Sequence, residues 1–399
     1  MSKACGALLA WLAATSLRGA DPMLTDEMVA RALVSGGNPA RLQRVLAQAR
    51  RGEAMTVGVI GGSITQGARA SRADLNYGSL LAAWWRQAFP GLQVTFRNAG
   101  IGATGSNLGA HRVQADLLAH APDLVVVEYA VNDAPDQASA ETLEGLVRQV
   151  LKHPRQPAVI LLFTMHRNGG NAQAWHGKVG AHYGLPMVSF RDAVWPEIEA
   201  GRLKWEDVEA DEVHPNDVGH CLCADLITRF IETVRTTLPP DAALAPIPPV
   251  PTALFTDLFE HARLLTAKTL SPARCEGWSE LTGGPFGPGW RSDTPGSVLE
   301  FEVWGRAFTV VFHRLKGDMG RVAVSVDGGA PTTLEAWFNA DWGGYSAPGV
   351  LPRCEKDGPH RLRVELRPDK APESRGNRFE LRAILAAGAA EPTAGEAGP

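Results

Sequence analysis

Residues 56–67 read TVGVIGGSITQG. An apolar run ending at Ile60 breaks into Gly61 and Gly62, and Ser63 follows at once. So apolar a segment closed by a glycine turn reads as a buried parallel strand. In an open α/β sheet, the residue just past the carboxyl end of such a strand faces the edge where ligands bind. The turn itself leaves three uses open: a phosphate cradle, a tight structural turn, or the exposure of a nucleophile. A phosphate loop needs Gly-x-x-x-x-Gly-Lys-Ser/Thr or Gly-x-Gly-x-x-Gly, and neither is present. The Gly-x-Ser-x-Gly elbow of α/β-hydrolases also fails, because Thr65 holds its last place.

The pattern continues on both sides of this stretch. LQVTFRNAG (92–100), PDLVVVEYAVND (122–133), PAVILLFTM (157–165) and LPMVSF (185–190) are four further apolar strands. Helical periodicity separates them. It runs through NPARLQRVLAQAR (38–50, Asn-capped), YGSLLAAWWRQAF (77–89), SNLGAHRVQADLLAH (106–120), ASAETLEGLVRQVLKH (138–153), NAQAWHGKVGAHYG (171–184) and DVGHCLCADLITRFIETVRTTL (217–238). Alternation of this kind predicts a parallel sheet covered on both faces, a three-layer α/β/α domain over residues 21–238.

A proline-rich, almost uncharged stretch, LPPDAALAPIPPVP (238–251), then ends the pattern, and 239–251 is read as a linker. Beyond it, SVLEFEVWG (297–305), AFTVVFHRL (307–315), GRVAVSVDGG (320–329), TLEAWF (333–338), HRLRVEL (360–366) and RFELRAIL (378–385) alternate apolar and polar residues without intervening helices. Residues 252–388 are therefore expected to form an antiparallel sandwich or jelly roll, with a hairpin at Asp327-Gly328-Gly329. The tail, 389–399, is expected to be disordered. At 399 residues, a two-domain chain is also what length favours.

The strand ends collect a short set of reactive side chains. Ser63 closes the first strand, the turn Asn98–Thr104 the second, and Asn132-Asp133 the third, while Asp211-Glu212-Val213-His214-Pro215 precedes the last helix. Serine becomes a useful nucleophile when a base takes its proton; His214 can do so, with Asp211 fixing its tautomer and stabilising the imidazolium. Pro215 biases His214 toward extended backbone, so the ring projects. Backbone N–H groups of Ser63 and of Gly102 or Ala103, with the Asn132 amide, are candidate donors to an oxyanion.

These four blocks, in this order, resemble the SGNH (GDSL-type) hydrolase superfamily over about residues 25–238. The resemblance implies a flavodoxin-like sandwich and a metal-free, cofactor-free Ser-His-Asp esterase. Ser63 takes the nucleophile's place, Asp211 and His214 those of its partners, and Gly102 and Asn132 those of the oxyanion donors. Two positions depart: Gly62 stands where the family keeps aspartate, and Ala130 where it keeps glycine. With an appended sandwich, the resemblance implies a carbohydrate acetylesterase. A lipase or thioesterase for longer acyl chains, an O-acyltransferase, and a non-enzymatic sugar-binding protein are the alternatives.

Other groups are weighed against plainer roles. His220 also follows an aspartate by three residues, but a helix should carry both, so packing is its expected role. His111, His166 and His182 have no partner at a useful spacing, and Asp133 either pins the Asn132 loop or faces solvent. Arg72, Asp74 and Tyr77 follow the nucleophile turn and are weak pocket candidates. Trp337, Trp342 and Tyr345 cluster in AWFNADWGGY (336–345), where aromatics either stack on sugar rings or fill the core.

A net charge of −4 offers no basis for binding nucleic acid or an acidic membrane. The apolar run Ala4–Leu17 behind Lys3 is shorter than a membrane span and suits a secretory signal, 1–20, so the protein is expected to be secreted or periplasmic. Cys221 and Cys223 point to different helix sides, Cys275 and Cys354 are either paired or buried thiols, and no Cys/His spacing marks a zinc site.

Overall fold

The structure is a computed structural model describing residues 23–392. Its first half is a six-stranded sheet: β1 (Leu33–Ser35), β2 (Met55–Gly61), β3 (Val94–Gly100), β4 (Leu124–Glu128), β5 (Ala158–Phe163) and β6 (Met187–Ser189). The strands lie in the order β1-β6-β5-β4-β2-β3, all parallel except β1 on β6. The chain leaves β2 toward β3 on one side and returns to β4 on the other, so the topological switch lies between β2 and β4. That is where an open α/β sheet forms its binding crevice.

The helices are α1 (Asp26–Ala32), α2 (Ala40–Arg50), the single turn α3 (Ser63–Gln66), α4 (Tyr77–Ala88), α5 (Ser106–Asp116), α6 (Gln137–Lys152), α7 (Gln173–His182), α8 (Phe190–Glu199), the single turn α9 (Trp205–Val208) and α10 (Asp217–Thr237). Consecutive strand residues feed opposite cores: Val57, Val59, Val126 and Ile160 pack with α2, α4, α8 and α10, while Ile60, Val125, Val127 and Leu161 pack with α5, α6 and α7. Both faces of β2, β4, β5 and β6 are buried, and for this reason these strands read as continuous apolar runs, whereas β3, at the sheet edge, exposes Thr95, Arg97 and Asn98. α2 starts at Ala40 with Pro39 at the N-cap, one residue later than the sequence suggests, and Asn38 just before it accepts from Ala40 N–H at 2.9 Å. Trp85, in α4, is wholly buried.

Several short elements were not legible, α1 and the single turn α3 among them. The edge strand β1 is three residues long, α9 is one turn, and α8 carries Pro196 inside it. The third strand also ends at Glu128, so Asn132 sits in the loop beyond it and not on the strand itself.

The second half is a sandwich of two antiparallel sheets. One holds β15 (Tyr345–Val350), β12 (Ala307–Arg314), β17 (Phe379–Ala387), β10 (Gly289–Ser292) and β9 (Ser279–Leu281), with β7 (Arg263–Leu265) also on β17. The other holds β14 (Thr332–Glu335), β13 (Arg321–Val326), β16 (Gly358–Leu366), β11 (Val298–Gly305) and β8 (Arg274–Glu276). The β13–β14 hairpin turns at Asp327 and Gly328, with φ of 51° and 73°, the left-handed pair a tight hairpin demands. The core between the sheets is built from Phe301, Phe308, Phe312, Phe379, Leu362 and their neighbours.

The domains are in contact. Phe255, Leu258 and Phe259, which follow the proline-rich stretch, pack into the α5–α7 side of the first domain. The Glu144 carboxylate on α6 accepts from the backbone N–H groups of Leu254, Phe255 and Thr256. Leu108 of α5 packs on Val311, Ala383 and Leu385 of the sandwich, and Arg353 pairs with Glu141 of α6 at 2.7 Å. Among the described residues Cys275 and Cys354 are free thiols, not a disulfide. The expected signal segment lies outside the described residues, as does most of the expected disordered tail.

Candidate active site

β2 ends at Gly61, and α3 begins two residues later at Ser63. The side chain thus starts a helix, with the unpaired backbone N–H groups of that first turn beside it. The loop between α9, which ends at Val208, and α10, which starts at Asp217, brings the partners over: His214 Nε2 lies 2.8 Å from Ser63 Oγ, and Nδ1 lies 2.9 and 3.0 Å from the two carboxylate oxygens of Asp211.

Asp211 is itself fixed on all sides. Its Oδ1 accepts from the backbone N–H of Val213 (3.1 Å) and of His214 (3.0 Å), and Arg69 Nε donates to Oδ2 at 2.8 Å. Burial alone would raise the carboxyl's pKa, but the bonds from Arg69, His214 and the two backbone N–H groups outweigh it and hold Asp211 well below the usual carboxylate range. Arg69 occupies left-handed backbone at φ 66°, uncommon for a side chain other than glycine and typical of functional loops.

The donor side is equally constrained. A β-carbon built on Gly102 would lie 3.8 Å from Ser63 Cβ, so this glycine stands against the nucleophile turn, while exposed Ala103 turns in left-handed backbone at φ 55°. Asn132 closes the turn of residues 130–132 beyond β4, its N–H bonded to Tyr129 O at 3.0 Å. His166 Nε2 lies 2.9 Å from Val131 O, and Asp133 accepts from Ser106 N–H at 2.8 Å while sitting 3.0 Å from His176 Nε2. Asp133 therefore pins the Asn132 loop, and its side chain is 5% exposed. The Asn132 amide oxygen is buried without a hydrogen-bond partner and packs against Gly62, which leaves Nδ2 as the end turned away from that glycine.

Behind the site lies a buried polar layer. Thr65 Oγ1 and Tyr77 Oη are 2.8 Å apart, and Glu128 accepts from Thr164 Oγ1 at 2.7 Å. Burial pushes Glu128 up to about 7, and burial together with the charge of Asp211 pushes Glu209 up to about 9. His220 is fully buried, stacks on Tyr77 and approaches Ala68 O at 3.2 Å.

The structure thus brings Ser63, Asp211, His214, Asn132 and Gly102 to one edge and keeps His220 apart from it as a packing group. It corrects Tyr77: the ring is 0% exposed, so it supports the nucleophile turn from beneath and cannot touch a substrate. Arg72 and Asp74 pair with each other at the surface. In the sandwich, Trp337 packs on the core and lines a groove of about 500 Å³ with Lys316, Asn339, Asp341, Glu373 and Arg375. Trp342, 63% exposed, stands beside it against Phe338 and Tyr345. Sequence reasoning missed Arg69, Glu209, and the His166 and His176 braces. No spacing signals them: Arg69, His166 and His176 meet their partners only across the fold, and Glu209 is buried by tertiary packing.

Comparison with known proteins gives the following. The profile of the GDSL-like lipase/acylhydrolase family matches residues 59–222. A solved two-domain esterase (CEX) active on acetylated mannans, co-crystallised with mannopentaose, is 31% identical, with 92% of this chain and 99% of that chain covered and a TM-score of 0.84. A second structure of a two-domain esterase (CEX) active on acetylated mannans is 32% identical over 91% and 99% of the two chains, with a TM-score of 0.85. No curated protein matches the chain. Among the described residues no helix is long and apolar enough to cross a membrane.

Proposed function

Since the chain belongs to the GDSL-like lipase/acylhydrolase family and is a carboxylic-ester hydrolase, we propose that it removes O-acetyl groups from a polysaccharide or oligosaccharide through an acyl-enzyme on Ser63. The observation carrying this reading is the continuous relay from Asp211 through His214 to Ser63, with contacts of 2.9 and 2.8 Å.

In this mechanism Ser63 Oγ attacks the acetyl carbonyl carbon as its proton passes to His214 Nε2. Asp211, already ionised, stabilises the imidazolium and holds Nδ1–H toward itself. The charge on the former carbonyl oxygen is met by the N–H groups of Ser63 and Gly102 and by the Asn132 amide, each donor worth about 3 kcal/mol of barrier. His214 then returns its proton to the departing sugar hydroxyl. Water, deprotonated by the same imidazole, releases acetate and restores Ser63.

The carbohydrate substrate is supported by the likeness to an esterase active on acetylated mannans along nearly the whole of both chains. The exposed Trp342 ring offers an apolar face of the kind that stacks on sugars. The proposal includes export to the periplasm or exterior, for which the Ala4–Leu17 run behind Lys3 is the support. Acetate release from a panel of acetylated oligosaccharides tests the proposal. Turnover of acetylated glycans above that of octanoate esters is the expected result; preference for octanoate would move the assignment to a lipase.

A further inference from the structure

Among the described residues, Asp327, Cys354 and His360 form the one group of three potential ligand side chains whose donor atoms all lie within 4.8 Å of one another. The three come from separate places: the β13–β14 turn, the loop before β16, and β16 itself. We propose that they hold a borderline divalent cation of the zinc type, with Cys354 Sγ, His360 Nδ1 and an Asp327 oxygen as ligands and water completing a tetrahedron.

The argument rests on how the three are held. His360 Nε2 lies 3.1 Å from Lys356 O, so its N–H donates to that carbonyl, and the ring packs edge-on against Phe308 at 5.6 Å between centroids. That bond turns Nδ1 toward Asp327 Oδ2, 2.6 Å away. A backbone carbonyl behind one imidazole nitrogen, with the other facing a carboxylate and a thiol, is the outer-shell arrangement that orients histidine ligands. Asp327 is fixed too, since its Oδ1 accepts from Arg361 N–H at 2.8 Å and its own N–H bonds Arg361 O at 2.9 Å. Cys354 N–H bonds Arg306 O at 2.7 Å, anchoring the thiol's loop to the sandwich.

Zinc bonds of about 2.0–2.3 Å bring neighbouring ligand atoms to roughly 3.5 Å, within reach of side-chain rotation from the present spacing. A thiol and an imidazole in the set favour zinc-like ions over calcium or magnesium, which prefer oxygen alone. Binding exchanges the Cys354 S–H bond for a sulfur–metal bond and the His360 Nδ1–H that faces Asp327 for a nitrogen–metal bond, with both protons passing to solvent, and nothing is oxidised or reduced. The ion would tie the β13–β14 turn to the loop carrying Arg353, whose guanidinium reaches Glu141 across the domain junction. Its role is to brace that junction, apart from the esterase site.

The test is Co²⁺ titration of the full chain after chelator dialysis. The expected result is one equivalent bound, with a sulfur-to-cobalt charge-transfer band, the visible bands of a tetrahedral site, and a raised melting temperature. Cys354→Ser should abolish the charge-transfer band, Cys275→Ser should retain it, and both should keep turnover of a small acetate ester. No band in the parent chain, or a band surviving Cys354→Ser, overturns the proposal. Should Cys354→Ser not fold, Asp327→Asn decides: undiminished affinity for Co²⁺ overturns the site, and at least tenfold weaker binding supports it.

Discussion

A β-carbon built on Gly62 would lie 2.0 Å from Asn132 Oδ1. Gly62 has φ −86° and ψ −147°, so its φ alone does not call for glycine, and the amide of Asn132 takes the space a side chain would need. The position at which related enzymes carry aspartate is filled here by the amide of Asn132. Gly62→Asp or Gly62→Ala should therefore push Asn132 out of place. The expected loss is about 10²–10³-fold in kcat with KM little changed, as for removal of one oxyanion donor. Asn132→Ala should match it, and the double variant should add little. A fully active Gly62→Asp enzyme would show that Asn132 does not serve the oxyanion.

Ser63→Ala should lower turnover of a chromogenic acetate ester by about 10⁴–10⁶-fold while leaving the thermal unfolding curve intact. Asp211→Asn should cost about 10⁴-fold, because it removes the charge opposite the imidazolium and favours the wrong tautomer. Parent-like acetate release from either variant would sink the triad assignment.

Arg69 touches Asp211 from an exposed position, so its share is small. Arg69→Ala should reduce kcat/KM about fivefold, the size of about 1 kcal/mol, mainly through kcat. Since Arg69 helps hold the Asp211 carboxyl low, the variant should also lose activity at a higher pH on the acid side than the parent does. Superimposable acid limbs would assign Arg69 to the surface and not to the triad.

Glu209 gives a pH-dependent stability. Both carboxylate oxygens are buried without a hydrogen-bond partner, and the acid is pushed from 4.5 to about 9. In the unfolded chain it ionises near its ordinary value, while in the folded protein it keeps its proton. The folded state therefore binds more protons between 4.5 and about 9, and stability falls as pH rises through that window. This group's favourable share is complete below the unfolded value and lost above the folded one. Urea unfolding should show a decline of at most about 1.4 kcal/mol per pH unit from Glu209, which Glu209→Gln removes. Glu128, pushed to about 7, acts with the same sign and leaves a residual slope in the variant. Parallel pH curves for parent and variant would contradict the assignment.

Trp342→Ala should leave folding and small-ester turnover unchanged, since the ring is largely exposed. On acetylated polysaccharide KM should rise by up to about tenfold, the worth of one lost aromatic stack. An equal effect on both substrates would point to a structural role instead.

Much of this protein could be read without its coordinates. β2, β4, β5 and β6 are legible because each is buried on both faces and must be apolar, while β3, at the sheet edge, exposes Thr95, Arg97 and Asn98 and reads as a strand from its β-branched and aromatic residues. The sandwich strands β13 and β16 are legible for the opposite reason, since their residues alternate between buried and more exposed positions, while β11 and β12 are mostly buried and read from their β-branched and aromatic residues. By contrast, β1, β7, β8 and β9 are three residues each, too short to display a period. Ser63, Asn132, Asp211 and His214 could be named because strand ends converge by topology, and topology follows from the order of elements.

The sequence by itself determined the α/β domain, the sandwich after it, and the residues gathered at the sheet's carboxyl edge. Those depend on periodicity and chain order, which are local. Only the tertiary structure decided that Tyr77 lies beneath the site, that Arg69 reaches Asp211, and that Asn132 fills the space beside Gly62. It alone also brought Asp327, Cys354 and His360 together. Each of these is a contact between side chains far apart in sequence, set by packing to within an ångström, and no local pattern encodes such a distance.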